Sequence, residues 1–126
     1  MRTINTHIIH CSDSDFGDVK IIRSWHRARG FSDVGYHFII RQDGEIEIGR
    51  TLDEVGAHCR GQNATSIGTC LIGKASFSQQ QFMALKKVHA FLKQLYPNIT
   101  AKPHNAFHAY KTCPNFDVTQ VLQEEV

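Results

Sequence analysis

Two hydrophobic periods alternate along this chain, and their order is the strongest constraint on its fold. Residues 4–11 follow a period of two, which indicates a strand. Residues 78–96 repeat apolar side chains at helical spacing, begin with the capping-box pair Ser78 and Gln81, and end before Pro97. Strands mixed with helices favour a mixed sheet that helices cover on one or both faces.

Shorter segments add further elements of both kinds. Asp18 could cap a helix that runs to about Arg29 and ends at Gly30. Its inner stripe would contain Val19, Ile22 and Trp25. The remaining predicted elements are a hairpin of residues 36–41 and 45–49 around Asp43-Gly44, a buried strand over 66–72, a strand over 99–102 and a short helix from about Val118.

Composition limits the class of protein. The 126 residues have the size of one domain, so we expect a single α/β domain over 1–126 with a central mixed β-sheet flanked by helices. A formal charge of +2 gives no reason to expect a nucleic-acid partner, and no apolar run approaches the roughly 20 residues of a membrane-spanning helix. The four cysteines lack CxxC spacing, so we expect free thiols.

Metal-binding residue types gather near the C-terminus. His104, His108 and Cys113 lie within one short segment, and Lys111 lies among them. Zinc accepts neutral imidazole and thiolate, and a catalytic zinc site typically has three protein ligands and one open position. The segment can supply two ligands. His10, where the first strand ends, could be the third, although an isolated histidine there is more often a hydrogen-bonded strand residue.

A set of short motifs in a fixed order resembles one family. They are His10-Cys11-Ser12, Val34-Gly35-Tyr36-His37-Phe38-Ile39-Ile40, Asp43-Gly44, Gly49-Arg50, Val55-Gly56-Ala57-His58, Asn63 with Ser66-Ile67-Gly68, and Lys111-Thr112-Cys113-Pro114-Asn115-Phe116-Asp117. Together they resemble the zinc-dependent N-acetylmuramoyl-L-alanine amidases of the peptidoglycan recognition protein superfamily, and within it the lysozyme-amidases of T-odd coliphages. The resemblance spans nearly the whole chain.

The resemblance implies a zinc ion held by His10, one histidine of the C-terminal loop and Cys113, with Tyr36 and Lys111 as catalytic side chains. Lys111 would add a positive charge near the developing oxyanion. Tyr36 could orient or deprotonate the water, or donate a hydrogen bond to the oxyanion, and the sequence does not decide among these roles.

The second histidine ligand departs from the spacing of the relatives, which place it eight residues before the cysteine. That position is Asn105 here, whereas His104 lies nine residues and His108 five residues before Cys113. We predict His104 as the ligand, after a one-residue insertion, because it ends a strand-like segment. His108 would then line the cleft or be solvated.

Other positions receive weaker interpretations. Cys70 stands where some relatives have a glutamate base, which leaves that role to Tyr36, to zinc-bound hydroxide or to both. His58 could contact substrate or be an exposed loop residue. We interpret Cys11, Cys59, His7, His26 and His89 as structural only.

These interpretations predict hydrolysis of the bond between N-acetylmuramic acid and L-alanine in bacterial peptidoglycan by a phage or prophage endolysin. We expect a monomer that is cytoplasmic on synthesis, because residues 1–11 lack the apolar run of a signal peptide, and that acts on the cell wall after release by another factor. The alternative is a noncatalytic peptidoglycan-binding module. A regulator that binds another protein is a third hypothesis, which no residue supports.

Overall fold

A five-stranded sheet forms the centre of the protein, in a computed structural model that describes residues 2–123. The strands are β1 (Thr6–Cys11), β2 (Phe38–Ile40), β3 (Ile46–Ile48), β4 (Ser66–Leu71) and β5 (Thr100–Pro103). The helices are α1 (Val19–Ala28), α2 (Gln79–Leu95) and α3 (Val118–Leu122), and two short 3₁₀ helices span Asn63–Thr65 and His104–Ala106. Each element lies within a few residues of its predicted position.

The strand order β3-β2-β4-β1-β5 makes a mixed sheet. β1 pairs in parallel with β4 and β5, β2 pairs in parallel with β4, and only β3 runs antiparallel to its neighbour β2. The carboxyl ends of four strands therefore meet at one edge of the sheet, the edge at which open α/β sheets place their ligands.

Helices cover both faces of this sheet, which confirms the predicted α/β fold class. The larger core lies under α2 and α3, where Ile9 of β1 and Leu71 of β4 pack with Leu85 and Leu92 of α2. The smaller core lies under α1, where Ile22 packs with Ile39 and Cys70. Among the described residues, no helix is both long and apolar enough to cross a membrane.

Local capping signals set the ends of α1 as predicted. The Asp18 side chain accepts a hydrogen bond from the Ile21 amide, and Gly30 follows the helix with a φ of +95°. The predicted position of Trp25 on the inner stripe was wrong, because its side chain is exposed. His26 is buried in its place, where its Nδ1 accepts a hydrogen bond of 2.8 Å from the Gly35 amide.

The first turn of α2 is fastened to the sheet by a buried amide side chain. Gln81 is 1% exposed, and its Nε2 donates to the carbonyls of Ile72 at 2.8 Å and Ile40 at 3.3 Å. Its Oε1 accepts from the Ser78 amide at 2.9 Å, which completes the predicted capping box. One side chain therefore satisfies backbone groups of the helix and of the ends of two strands.

We expect Gln81→Leu to destabilise the protein by about 2 kcal/mol, because leucine cannot replace the hydrogen bonds to the Ile72 carbonyl and the Ser78 amide. The Ile40 carbonyl keeps its bond from the Ile72 amide. Gln79→Leu is the matched control, since Gln79 is exposed in the same helical turn. Urea denaturation of both variants measures the free energy of unfolding. Equal values for the two would contradict the role assigned to Gln81.

Candidate functional site

Parallel pairing of β1 with β5 brings two histidines together at the carboxyl edge of the sheet. Ile9 is paired with Pro103. The residues that follow them in the chain, His10 and His104, therefore lie at the same level. Their ring centroids are 4.4 Å apart. His10 is 1% exposed, whereas His104 is half-buried at the start of the 3₁₀ helix that follows β5.

Cys113 joins the two histidines through backbone contacts of its loop. The Asn105 amide donates to the Cys113 carbonyl at 3.1 Å, which closes the loop of residues 104–113. The Cys11 amide donates to the Cys113 Sγ at 2.7 Å. As a result, one donor atom each of His10, His104 and Cys113 lies within 4.8 Å of the others.

His108, the other candidate for the second ligand, lies outside that group of three. Its ring packs edge-on against His104 with centroids 5.2 Å apart, and it lines, with Cys59, an adjacent cavity that shares His104 with the cavity of that group. The arrangement favours His104 over His108 as the partner of Cys113. The ligand role of each residue stays a prediction.

Tyr36 and Lys111 line the same cavity as the three donors, with a volume of about 470 Å³. The Tyr36 ring lies 5.1 Å from that of His10, just before β2, and burial raises the pKa of its phenol well above the usual range. Tyr36 is therefore a neutral hydroxyl at physiological pH. Lys111 is exposed at the rim of this cavity.

Burial keeps the imidazoles of the site neutral. It lowers the pKa of His10 well below 6.5, with the neighbouring His58 as a second cause, and it lowers the pKa of His104 to about 4. Neutral imidazole is the form that binds a metal. The neighbouring Cys11 thiol and burial raise the pKa of Cys113, so its thiolate depends on a cation beside it.

His58 is the residue of the site that the sequence left undecided. It is partly buried, and its Nδ1 lies 2.9 Å from Nε2 of His10. Its ring lies over Gly68 of β4, where an added Cβ would come within 2.6 Å of it. His10 and His58 are 48 positions apart in the chain, a separation that carries no spacing signal, so only the pairing of β1 with β4 could reveal the contact.

The hydrogen bonds around His58 determine which nitrogen of His10 is protonated. Ser66 Oγ donates to the Gln62 carbonyl at 2.7 Å, so it must accept from His58 Nε2, 3.3 Å away. Nδ1 of His58 is then an acceptor, and His10 Nε2 donates to it. His10 therefore keeps its lone pair on Nδ1, as a metal ligand requires.

Of the positions interpreted as structural, Cys11 and His26 line this cavity and Cys59 lines an adjacent one, whereas His7 and His89 lie elsewhere. His7 is buried against α2, where its Nε2 lies 2.7 Å from Thr69 Oγ1 and its ring stacks on His89. Cys70 is fully buried beneath Tyr36, and burial raises the pKa of its thiol. A buried thiol that keeps its proton cannot replace a glutamate base.

Comparisons with known proteins agree with this picture. A profile of the family described as N-acetylmuramoyl-L-alanine amidase matches residues 1–116. The chain is 44% identical over 122 residues to the endolysin of Enterobacteria phage K11, and 39% identical over 121 residues to the endolysin of Escherichia phage T7. Each alignment covers 87% of this chain and 80% of the relative.

Solved structures share the fold. The N-acetylmuramoyl-L-alanine amidase LysC from Clostridium intestinale URNW superposes with a TM-score of 0.89 at 30% identity, covering 95% of this chain and 83% of that one. Drosophila PGRP-LB superposes with a TM-score of 0.82 at 27% identity, covering 90% and 76%. These matches confirm the resemblance inferred from the motifs.

We expect that in His58→Ala the proton of His10 is no longer held on Nε2, so that both tautomers are populated. Zinc binding should weaken by roughly 10- to 100-fold, the usual effect of losing a group that orients a metal-binding histidine. Nitrogen chemical shifts of the His10 imidazole report the tautomer without metal, and chelator competition reports the affinity. Ser66→Ala keeps the His58 ring and removes only the group that fixes its tautomer, so a smaller loss is expected. Unchanged shifts in both variants would contradict the inferred hydrogen-bond chain.

Proposed function

Because this chain belongs to the N-acetylmuramoyl-L-alanine amidase family, we propose that it hydrolyses the amide bond between N-acetylmuramic acid and L-alanine in peptidoglycan with a bound zinc ion. The observation that carries the proposal is the convergence of His10, His104 and Cys113 in a cavity that Tyr36 and Lys111 also line. The peptidoglycan substrate is the one that the family description implies.

The donor set fits zinc. Two neutral imidazoles and one thiol make a three-ligand set of the kind that catalytic zinc sites use, with a fourth position for water or substrate. The hydrogen-bond chain from Ser66 through His58 supports this assignment, since it leaves the lone pair of His10 on one defined nitrogen. The Cys11 amide supports it as well, because it donates to the sulfur that would carry the negative charge.

When bound, zinc lowers the pKa of water and polarises a carbonyl group. The side chains of this protein then orient the reacting groups. The Lys111 ammonium at the rim can approach the amide oxygen as negative charge develops there. The Tyr36 hydroxyl, held neutral by burial, donates a hydrogen bond to the oxyanion or orients the water.

The raised pKa of Tyr36 argues against its role as a general base, because a phenolate would be needed to take a proton. Cys70 is unsuitable as well, since its buried thiol keeps its proton and packs in the core under α1. We therefore propose that Tyr36 acts as a hydrogen-bond donor and that no side chain replaces the glutamate found in some relatives.

The relatives suggest where the enzyme acts. Proteins named endolysin in phages K11 and T7 are 44% and 39% identical to this chain. We propose that this protein is likewise a phage or prophage endolysin that acts as a monomer. It would reach the cell wall from the cytoplasm after release by another factor.

The decisive experiment is digestion of purified peptidoglycan by protein that carries one zinc ion. We expect new peptide amino termini at L-alanine and intact glycan strands. Product formation should stop when a chelator removes zinc and should recover when zinc is restored. A noncatalytic binding module would release no peptide under any of these conditions. New reducing sugar ends without new amino termini would reject the proposed bond.

The same preparation tests the ligand set. At limiting free zinc, we expect His104→Ala to lose the metal and the activity, and His108→Ala to keep both, because only His104 lies with His10 and Cys113. Elemental analysis gives the zinc content. The reverse result would assign the second ligand to His108.

We expect Lys111→Met to keep zinc and fold but to lose activity by about a hundredfold, the typical cost of removing one group that stabilises a developing oxyanion. Methionine retains the length of the side chain and removes its charge. Lys87→Met, at an exposed position on α2, is the matched control. Turnover, zinc content and thermal unfolding are measured together, and near-normal turnover of Lys111→Met would exclude a catalytic role.

A further inference from the structure

A second group of metal-binding atoms lies beside the proposed zinc site. One donor atom each of Cys59, His104 and His108 lies within 4.8 Å of the others. Cys59 is 2% exposed, and both histidines are half-buried. None of the motifs that carry the family resemblance includes Cys59 or His108, and the proposed amidase chemistry uses neither residue.

Local hydrogen bonds hold the three residues from two sides of one cavity. On one side, Asn63 Oδ1 accepts from the amides of His58 and Cys59 at 3.0 and 2.9 Å, which fixes the turn that carries the thiol. On the other side, the His108 carbonyl accepts from the Lys111 amide at 2.9 Å. The group is therefore held by hydrogen bonds within each segment, and the two segments face one another.

The walls of this cavity favour a soft metal ion. No carboxylate lines it among residues 2–123, whereas a thiol and imidazoles do. Thiolate and imidazole select zinc and similar ions, and hard cations such as magnesium require oxygen ligands. Arg29 and Lys111 line both cavities, whereas Arg60 lines only this one and Asp13 lines only the first. The additional positive charge makes this site the weaker of the two for a cation.

We propose that Cys59, His104 and His108 form a second zinc site, at which excess zinc inhibits the enzyme. The ion would bind the two imidazoles and the Cys59 sulfur, whose proton passes to solvent. His104 belongs to both groups, so occupation of the second site withdraws a ligand from the first. The inhibition, though not the metal site itself, rests on the proposed amidase activity.

Cobalt spectroscopy tests the site independently of activity. The Cys113→Ser variant lacks the thiol of the first site, so any thiolate-to-cobalt absorption that develops during Co²⁺ titration must come from another cysteine. We expect that absorption in Cys113→Ser and its loss in the double variant Cys113→Ser/Cys59→Ser. No thiolate absorption in the single variant, or equal absorption in both, would overturn the site.

Zinc titration tests the inhibition. Amidase activity of the unmodified protein should fall at least tenfold as free zinc rises beyond one equivalent, while Cys59→Ala and His108→Ala should keep their activity over the same range. Magnesium at the same concentration should have no effect. Equal inhibition of Cys59→Ala and the unmodified protein would overturn the proposal. Absence of activity at one equivalent of zinc would instead reject the proposed function. In that case the cobalt result would remain as the test of the second site.

Discussion

The parallel pairing of β1 with β5 is the constraint on which the site depends. It places His10 and His104 at the same level of one sheet edge, and no contact within either segment could do so. β1 in turn lies between β4 and β5, with apolar side chains buried on both of its faces. The positions of the two histidines proposed as metal ligands are therefore set by a strand that is buried within the sheet. The loop of Cys113 then needs to place only one further donor.

Desolvation gives these residues their chemistry. Four histidines, at positions 10, 37, 58 and 104, have lowered pKa values, and burial is the first cause in each case. Neutral rings can accept as well as donate hydrogen bonds, which makes the chain from Ser66 through His58 to His10 possible. The same burial keeps the Tyr36 phenol protonated. A single physical effect thus keeps the imidazoles proposed as metal ligands and the Tyr36 hydroxyl neutral, and Lys111 lies exposed at the rim.

The sequence predicted those features that local interactions determine. The period of two over residues 4–11, the capping box of α2 and the Asp18 cap of α1 all depend on neighbours along the chain, and all have counterparts in the structure. The inner stripe of α1 was less predictable. Hydrophobicity placed Trp25 inside, but a hydrogen bond to the Gly35 amide buries His26 instead. The contact of His58 with His10 joins residues 48 positions apart, so it depends on sheet register and on the missing side chain of Gly68.

The length of the C-terminal loop has consequences at both of its ends. Its two ends are held together by the bond from the Asn105 amide to the Cys113 carbonyl, which keeps His104 close to Cys113. In the middle of the loop, His108 packs on the outer side of His104 and faces Cys59. The same loop thus contributes to the first group of donors and places a second group beside it. Because His104 is common to both groups, a metal ion in one group would compete with a metal ion in the other for a single imidazole. The relative affinity of the two groups for metal then decides which ion binds His104.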